Sequence, residues 1–184
     1  MEASHEPMRC GIALGSNIEN RLANIREGAK RASLLHEPGV PIRVSSIYET
    51  TAVDCEPGTK SYLNAVMEIN FSGLPVALVG QLQQIEREMG RPSERPRNAP
   101  RKIDLDVLYV GDLILNTPEI VIPHPRLSQR RFVLTPLAEI APELILPGHS
   151  RSVQALLADL KDPGEVIRLH HLLLSSEQDY SRNH

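Results

Sequence analysis

Residues 91–111 read RPSERPRNAPRKIDLDVLYVG, a proline-broken, arginine-rich loop that runs into a short apolar strand bearing two acids, Asp104 and Asp106. Side chains alternate between the faces of a strand, so Ile103, Leu105, Val107 and Tyr109 are predicted on one face. Asp104, Asp106, Leu108 and Val110 share the other. At about 3.3 Å rise per residue, two acids two positions apart are roughly 7 Å apart at Cα, near enough for their oxygens to converge on a small metal cluster. Like charges so close repel unless a cation holds them. The arginines just upstream are the residues that grip phosphate oxygens in bidentate fashion. Carboxylates for Mg²⁺ beside guanidinium groups for phosphates are what nucleotide-dependent phosphoryl transfer requires.

The rest of the composition is ordinary. The chain has 184 residues, 41% hydrophobic and 23% charged, which predicts one domain with a complete core. Its net charge of -3 offers no global attraction to nucleic acid or to an anionic membrane, so any anion site is local. Cys10 and Cys55 have neither metal-ligand spacing nor a disulfide framework around them, which points to a reducing cytoplasm. The polar N-terminus has no apolar signal core, and no stretch is long enough to span a bilayer. Aromatic residues make up only 3%, with no Trp, so the position of each one matters.

Working outward, residues 10–14 read as a short buried strand. Ser16 and Glu19 form an S-x-x-E capping box that predicts a helix start. Leu22, Ile25, Ala29, Ala32 and Leu35 follow at helical spacing until Pro38-Gly39. Residues 42–50 and 62–71 alternate as strands, separated by a loop over 51–61. A second helix is predicted from Pro75 to Met89, with Gly90 as its C-cap and Leu78, Leu82, Ile85 and Met89 as its stripe. After the Asp strand come a small hairpin over 112–122, Pro-punctuated short helices over 122–144, and a helix over 152–160. The order is βαββαβ, an α+β ferredoxin-like core with helices packed on an antiparallel sheet and a C-terminal helical extension. The expected organisation is a disordered tail over 1–8, one domain over 9–160, and a partly disordered extension over 161–184.

Several chemistries are disfavoured. Gly58-Thr59-Lys60-Ser61 lacks the upstream glycine and the Gly-Lys pair of a P-loop, and there is no G-x-G-x-x-G. His124, His149, His170 and His171 show no zinc spacing. Taken singly, each remaining feature has a plain reading. Asp104 and Asp106 could be a charged strand edge, the arginines a solvated loop, Gln83 and Glu86 helix-surface polar residues, and Tyr62 and Phe132 core. Together the motifs are more specific. GSN (15–17), SSIYET (45–50), YLNA (62–65), QQIEREMGR (83–91), NAPRKIDLD (98–106) and PHPRLSQRRFVLTPL (123–137) occur in this order. In this the chain resembles the 6-hydroxymethyl-7,8-dihydropterin pyrophosphokinases of folate biosynthesis over roughly residues 10–160.

The resemblance implies an ATP-dependent diphosphotransferase that yields AMP and the pterin diphosphate. Asp104 and Asp106 would hold two Mg²⁺ ions. Gln83, Glu86, Arg91, Arg97, Arg101, Ile103, His124 and Arg130 match positions that bind ATP or the transferred phosphates, and Arg91 and Arg101 match the arginines that assist transfer. Asn17, Thr50, Val53, Tyr62, Asn64, Asp104 and Phe132 match the pterin site, the ring lying between Tyr62 and Phe132. Thr51 stands where the family commonly has Pro, Asn98 where some members have Trp, and Ser93 where some have Arg. Small-molecule substrates and other folate-pathway enzymes are the expected partners, with neither nucleic acid nor membrane. The alternatives are another D-x-D metal-dependent transferase of nucleotides or sugars, and a ferredoxin-like module that only binds.

Overall fold

The computed structural model describes residues 6–50, 61–90 and 101–174. In chain order these form β1 (Met8–Ser16), α1 (Arg21–Ser33), β2 (Arg43–Val44), β3 (Tyr48–Thr50), β4 (Tyr62–Phe71) and α2 (Pro75–Glu88). There follow β5 (Asp104–Val110), β6 (Leu115–Asn116), β7 (Val121–Ile122), a 3₁₀ turn at Leu127–Gln129, α3 (Arg131–Ile140), α4 (Val153–Asp159) and β8 (Val166–Arg168). The main sheet has the order β5-β1-β4-β3-β8, with β2 also on β4. All its pairs are antiparallel, as the βαββαβ pattern requires. The predicted hairpin forms as β6 against β7.

The sheet is covered on both faces. Ile25, Ala29 and Ala32 of α1 and Leu78, Leu82 and Ile85 of α2 bury against Ile12, Leu14, Met67, Ile69, Ile103 and Leu105. On the opposite face Val133, Leu134 and Leu137 of α3 and Val153 of α4 cover Val66, Leu108 and Tyr109. Apolar burial on both sides makes β4 a continuously buried strand from Leu63 to Phe71 rather than an alternating one. No helix among the described residues is long and apolar enough to cross a membrane.

Three local expectations are corrected. The helix does not start at the Ser16 capping box. Pairing with Leu63 draws β1 on through Ser16, Glu19 takes a left-handed turn at φ 55°, and Asn20 becomes the N-cap, accepting from Ala23 N at 3.1 Å. Ladder bonds to a distant strand outweigh a local cap here. The strand over 42–50 is split into β2 and β3, because Ser45 Oγ accepts the bond from Val66 N, where a backbone carbonyl would serve in a regular ladder.

The third correction concerns the Asp strand. Between Gly11 and Ile12 the β1–β5 register shifts, so Gly11 faces Tyr109 while Ile12 faces Val107. This bulge carries Tyr109 to the face of Leu108, and Val110 returns to the α1/α2 side. The predicted alternation therefore holds from Ile103 to Leu108 and is reversed beyond it. The Tyr109 ring lies over Gly11, where a Cβ would come within 2.7 Å of its Cζ. Its hydroxyl donates to Glu68 Oε2 at 2.6 Å, and Arg9 grips the same carboxylate in bidentate fashion at 2.7 and 3.1 Å. Burial pushes the neighbouring Cys10 thiol up to about 12, so it stays protonated.

Candidate active site

A cavity of about 580 Å³ opens on the α3 face of the sheet. Its floor is Ala13, Leu14 and Gly15 of β1, flanked by Asp104, Asp106 and Leu108 of β5 and by Tyr62, Asn64 and Ala65 of β4. Thr50 closes the end of β3, and His124, Arg126, Arg130 and Phe132 form the opposing wall. Nine of the residues singled out from the sequence thus line one space: Thr50, Tyr62, Asn64, Arg101, Asp104, Asp106, His124, Arg130 and Phe132. Arg91, Arg97 and Val53 fall outside the described residues, as do Thr51, Ser93 and Asn98.

Four others lie outside its lining. Asn17, 1% exposed, clasps the backbone of Arg101: its Oδ1 accepts from Arg101 N at 2.8 Å and its own N donates to Arg101 O at 3.3 Å. Glu86, 2% exposed on α2, accepts from Leu105 N at 2.7 Å and so anchors the strand between the two acids. The Ile103 side chain is in the core, close against Gly28 of α1. Gln83 lies on the exposed side of α2. Asn17 Nδ2 is buried with no hydrogen-bond partner among the described residues.

The lining is mixed in charge, with Arg101, Arg126, Arg130 and Lys161 beside Asp104, Asp106 and Asp162. Arg101 Nη1 pairs with Asp104 Oδ1 at 2.5 Å. Burial works against the Arg101 charge, but Asp104 and Asp106 outweigh it and hold its pKa above the ordinary arginine value. Arg130, its guanidinium 5.3 Å from the Phe132 ring centroid, is pulled the other way by burial and by Arg126. Asn64 Nδ2 donates to Thr50 Oγ1 at 2.7 Å, fixing the amide beside Tyr62.

His124 has its pKa lowered by burial and then by Arg130 and Arg126. Its Nδ1 accepts from Arg126 N at 3.2 Å, so the neutral ring keeps its proton on Nε2 as a donor. A histidine whose folded pKa lies below its unfolded value of about 6.5 contributes stability above that pH and loses it as pH falls through the folded value. Between pH 7.5 and 5 the wild-type chain should therefore lose more stability than His124→Gln. The extra slope is at most about 1.4 kcal/mol per pH unit, readable as Tm across the pH series. Parallel Tm curves for the two proteins would remove the shift.

The sequence reading did not assign Arg126, Ser128 or Gln129 to the site, although all three lie within the PHPRLSQRRF motif and line the cavity. A basic residue two positions past His124 was the available signal. It also missed Leu160, Lys161, Asp162 and Pro163, for which the local sequence offers only a Pro-Gly turn.

A ferredoxin-like sheet whose cavity sets two carboxylates beside several cations and two aromatic rings defines a transferase of phosphoryl groups to a flat ring substrate. The chain belongs to the 7,8-dihydro-6-hydroxymethylpterin-pyrophosphokinase (HPPK) family, whose sequence model matches residues 11–142. It is 42% identical over 135 residues to the 2-amino-4-hydroxy-6-hydroxymethyldihydropteridine pyrophosphokinase of Bacillus subtilis (strain 168), covering 72% of this chain and 78% of that protein. The Haemophilus influenzae enzyme of the same name is 34% identical over 151 residues, with 82% and 92% covered. Among solved structures, wild-type Plasmodium falciparum HPPK-DHPS with pteroate superposes with a TM-score of 0.66 at 14% identity, which speaks for the fold alone. The match covers 85% of this chain and 45% of that one, so this chain spans under half of the bifunctional protein. The activity that goes with the family is diphosphoryl transfer to the hydroxymethyl group of the reduced pterin, a step of folate synthesis.

Proposed function

We propose that the donor is ATP, that AMP is the leaving group, and that the cavity holds both substrates at once. One observation carries this reading: the same cavity is lined by Asp104, Asp106, Arg101 and Arg130 and by Tyr62, Asn64 and Phe132. Asp104 and Asp106 offer only hard oxygen donors, which suits Mg²⁺. Among the described residues they are not part of a group of three or more acidic, His or Cys side chains, so substrate phosphates and water would have to complete the coordination. Bound there, two Mg²⁺ ions would neutralise charge on the triphosphate.

The protein's own groups then position and stabilise. Arg101 and Asp104 neutralise each other at the cavity wall and exchange partners as the substrates bind, Arg101 turning to a phosphate oxygen. His124 donates from Nε2, and Arg130, Arg91 and Arg97 add charge along the triphosphate, with Gln83, Glu86 and Ile103 on the nucleotide side. Tyr62 and Phe132 stack on the pterin while Asn64 and Thr50, with Val53 and Asn17, read its polar edge. The hydroxymethyl oxygen attacks the β-phosphorus, and alignment together with charge stabilisation supplies most of the rate. We infer a cytoplasmic setting, with neighbouring folate-pathway enzymes as partners.

The test is product analysis with Mg²⁺, ATP and 6-hydroxymethyl-7,8-dihydropterin. AMP should form only when the pterin is present, one per pterin diphosphate. Formation of ADP, or ATP consumption without pterin, overturns the reading.

A further inference from the structure

Residues 160–168 leave α4, line the cavity with Leu160 to Pro163 and join the sheet as β8, holding α3 near both ends. At its first residue, Arg131 N donates to Asp162 Oδ2 at 2.9 Å. Arg131 Nε and Nη2 reach Asp162 O at 2.9 Å and Leu160 O at 2.7 Å. The N-cap Arg130 provides no side-chain acceptor of its own, so Asp162, 31 residues away, does the work of the missing cap. Near the other end of α3, Arg168 Nη2 donates to Glu139 Oε1 at 2.9 Å. Glu139 also accepts from Ser46 N and Tyr48 Oη at 2.8 and 2.9 Å, tying α3 to β3. β8 itself pairs with β3, Val166 opposite Thr50.

The two elements joined in this way are the two sides of the cavity: α3 carries Phe132, and β3 ends on Thr50, which accepts from Asn64. Besides the direct Glu139 bonds to β3, the segment therefore ties the Phe132 end of α3 to β3. We propose that residues 160–168 are a brace for the ring-binding half of the cavity and that Asp162 is its positioning residue. The proposal rests on the reading that Phe132, Tyr62 and Asn64 receive the pterin. Asp162 acts through Arg131 rather than on the substrate, because its second oxygen, Oδ1, is engaged by Gly164 N at 2.7 Å.

The experiment uses the full chain with Mg²⁺, ATP and the pterin. Asp162→Ala should raise KM for the pterin about ten-fold while KM for ATP and kcat move by less than about two-fold, since a sub-ångström shift of the Phe132 wall affects only the ring it holds. Asp162→Asn keeps one carbonyl acceptor and should restore part of the loss. Ile167→Pro removes a β8 backbone donor at the far end of the brace and should give the same pterin-selective change, so the idea remains testable should Asp162→Ala fold poorly. Equal changes in both KM values, or none in either, overturn the brace. Phe132→Ala tests the underlying reading separately: if its pterin KM is unchanged, the ring assignment falls, whereas a rise with no effect at Asp162 removes the brace alone.

Discussion

Asp106→Ala should lower kcat at least ~10³-fold, equivalent to about 4 kcal/mol of transition-state stabilisation at 1.36 kcal/mol per decade, with the fold retained. The size follows from what the side chain faces. Asp106 lines the cavity two residues from Asp104 on the same face of β5, and its field reaches both Arg101 and Arg130. Alanine would halve the carboxylate set available to Mg²⁺ and leave the cations without half of their compensation. The fold is expected to survive because Asp106 is only partly buried and Leu105 and Leu108 keep β5 in both cores. Asp106→Asn separates charge from shape, and it should be nearly as inactive. Near-normal turnover by either variant, with an unchanged circular dichroism spectrum, would sink the assignment of Asp106 to the metal.

Gly11→Ala should be the most costly small substitution, destabilising the chain by about 3 kcal/mol, the upper end of overpacking effects. The new Cβ would come within 2.7 Å of Tyr109 Cζ and closer still to Cε1. The ring has little room to yield: it is 1% exposed, and its hydroxyl is held by Glu68, itself locked to Arg9. Moving the ring breaks a buried hydrogen bond, and moving the strand undoes the bulge. At about 2–4 °C per kcal/mol for a chain of this size, Tm should fall by roughly 6–12 °C, read by thermal unfolding. An unchanged Tm would show that Tyr109 is not fixed over Gly11.

The parts of the site that could be read in advance are those whose logic is local. Asp104 and Asp106 share a face because they lie two positions apart, and the α1 and α2 stripes emerge from a 3.6-residue period. The motifs around Tyr62, Asn64, His124 and Phe132 marked residues that the cavity indeed collects. Where local logic met a distant partner it failed. Ser16 looked like a cap and is a strand residue because Leu63 lies opposite, and Ser45 interrupts a strand that alternation alone would continue. Residue type also gave no sign that Glu86 and Asn17 hold the backbones of Leu105 and Arg101.

By itself, then, the amino-acid order determined the βαββαβ succession, the carboxylate pair and the family, since each depends on residue type and near-neighbour spacing. The tertiary structure alone decided the bulge that turns Tyr109 to the other face, the burial of both sides of β4, and the return of residues 160–168 to the cavity. All three depend on backbone hydrogen bonds and contacts between residues tens of positions apart: Gly11 with Tyr109, Val66 with the α3 layer, and Arg131 with Asp162. No periodicity along the chain encodes such pairings, because their free energy exists only once the two segments have met.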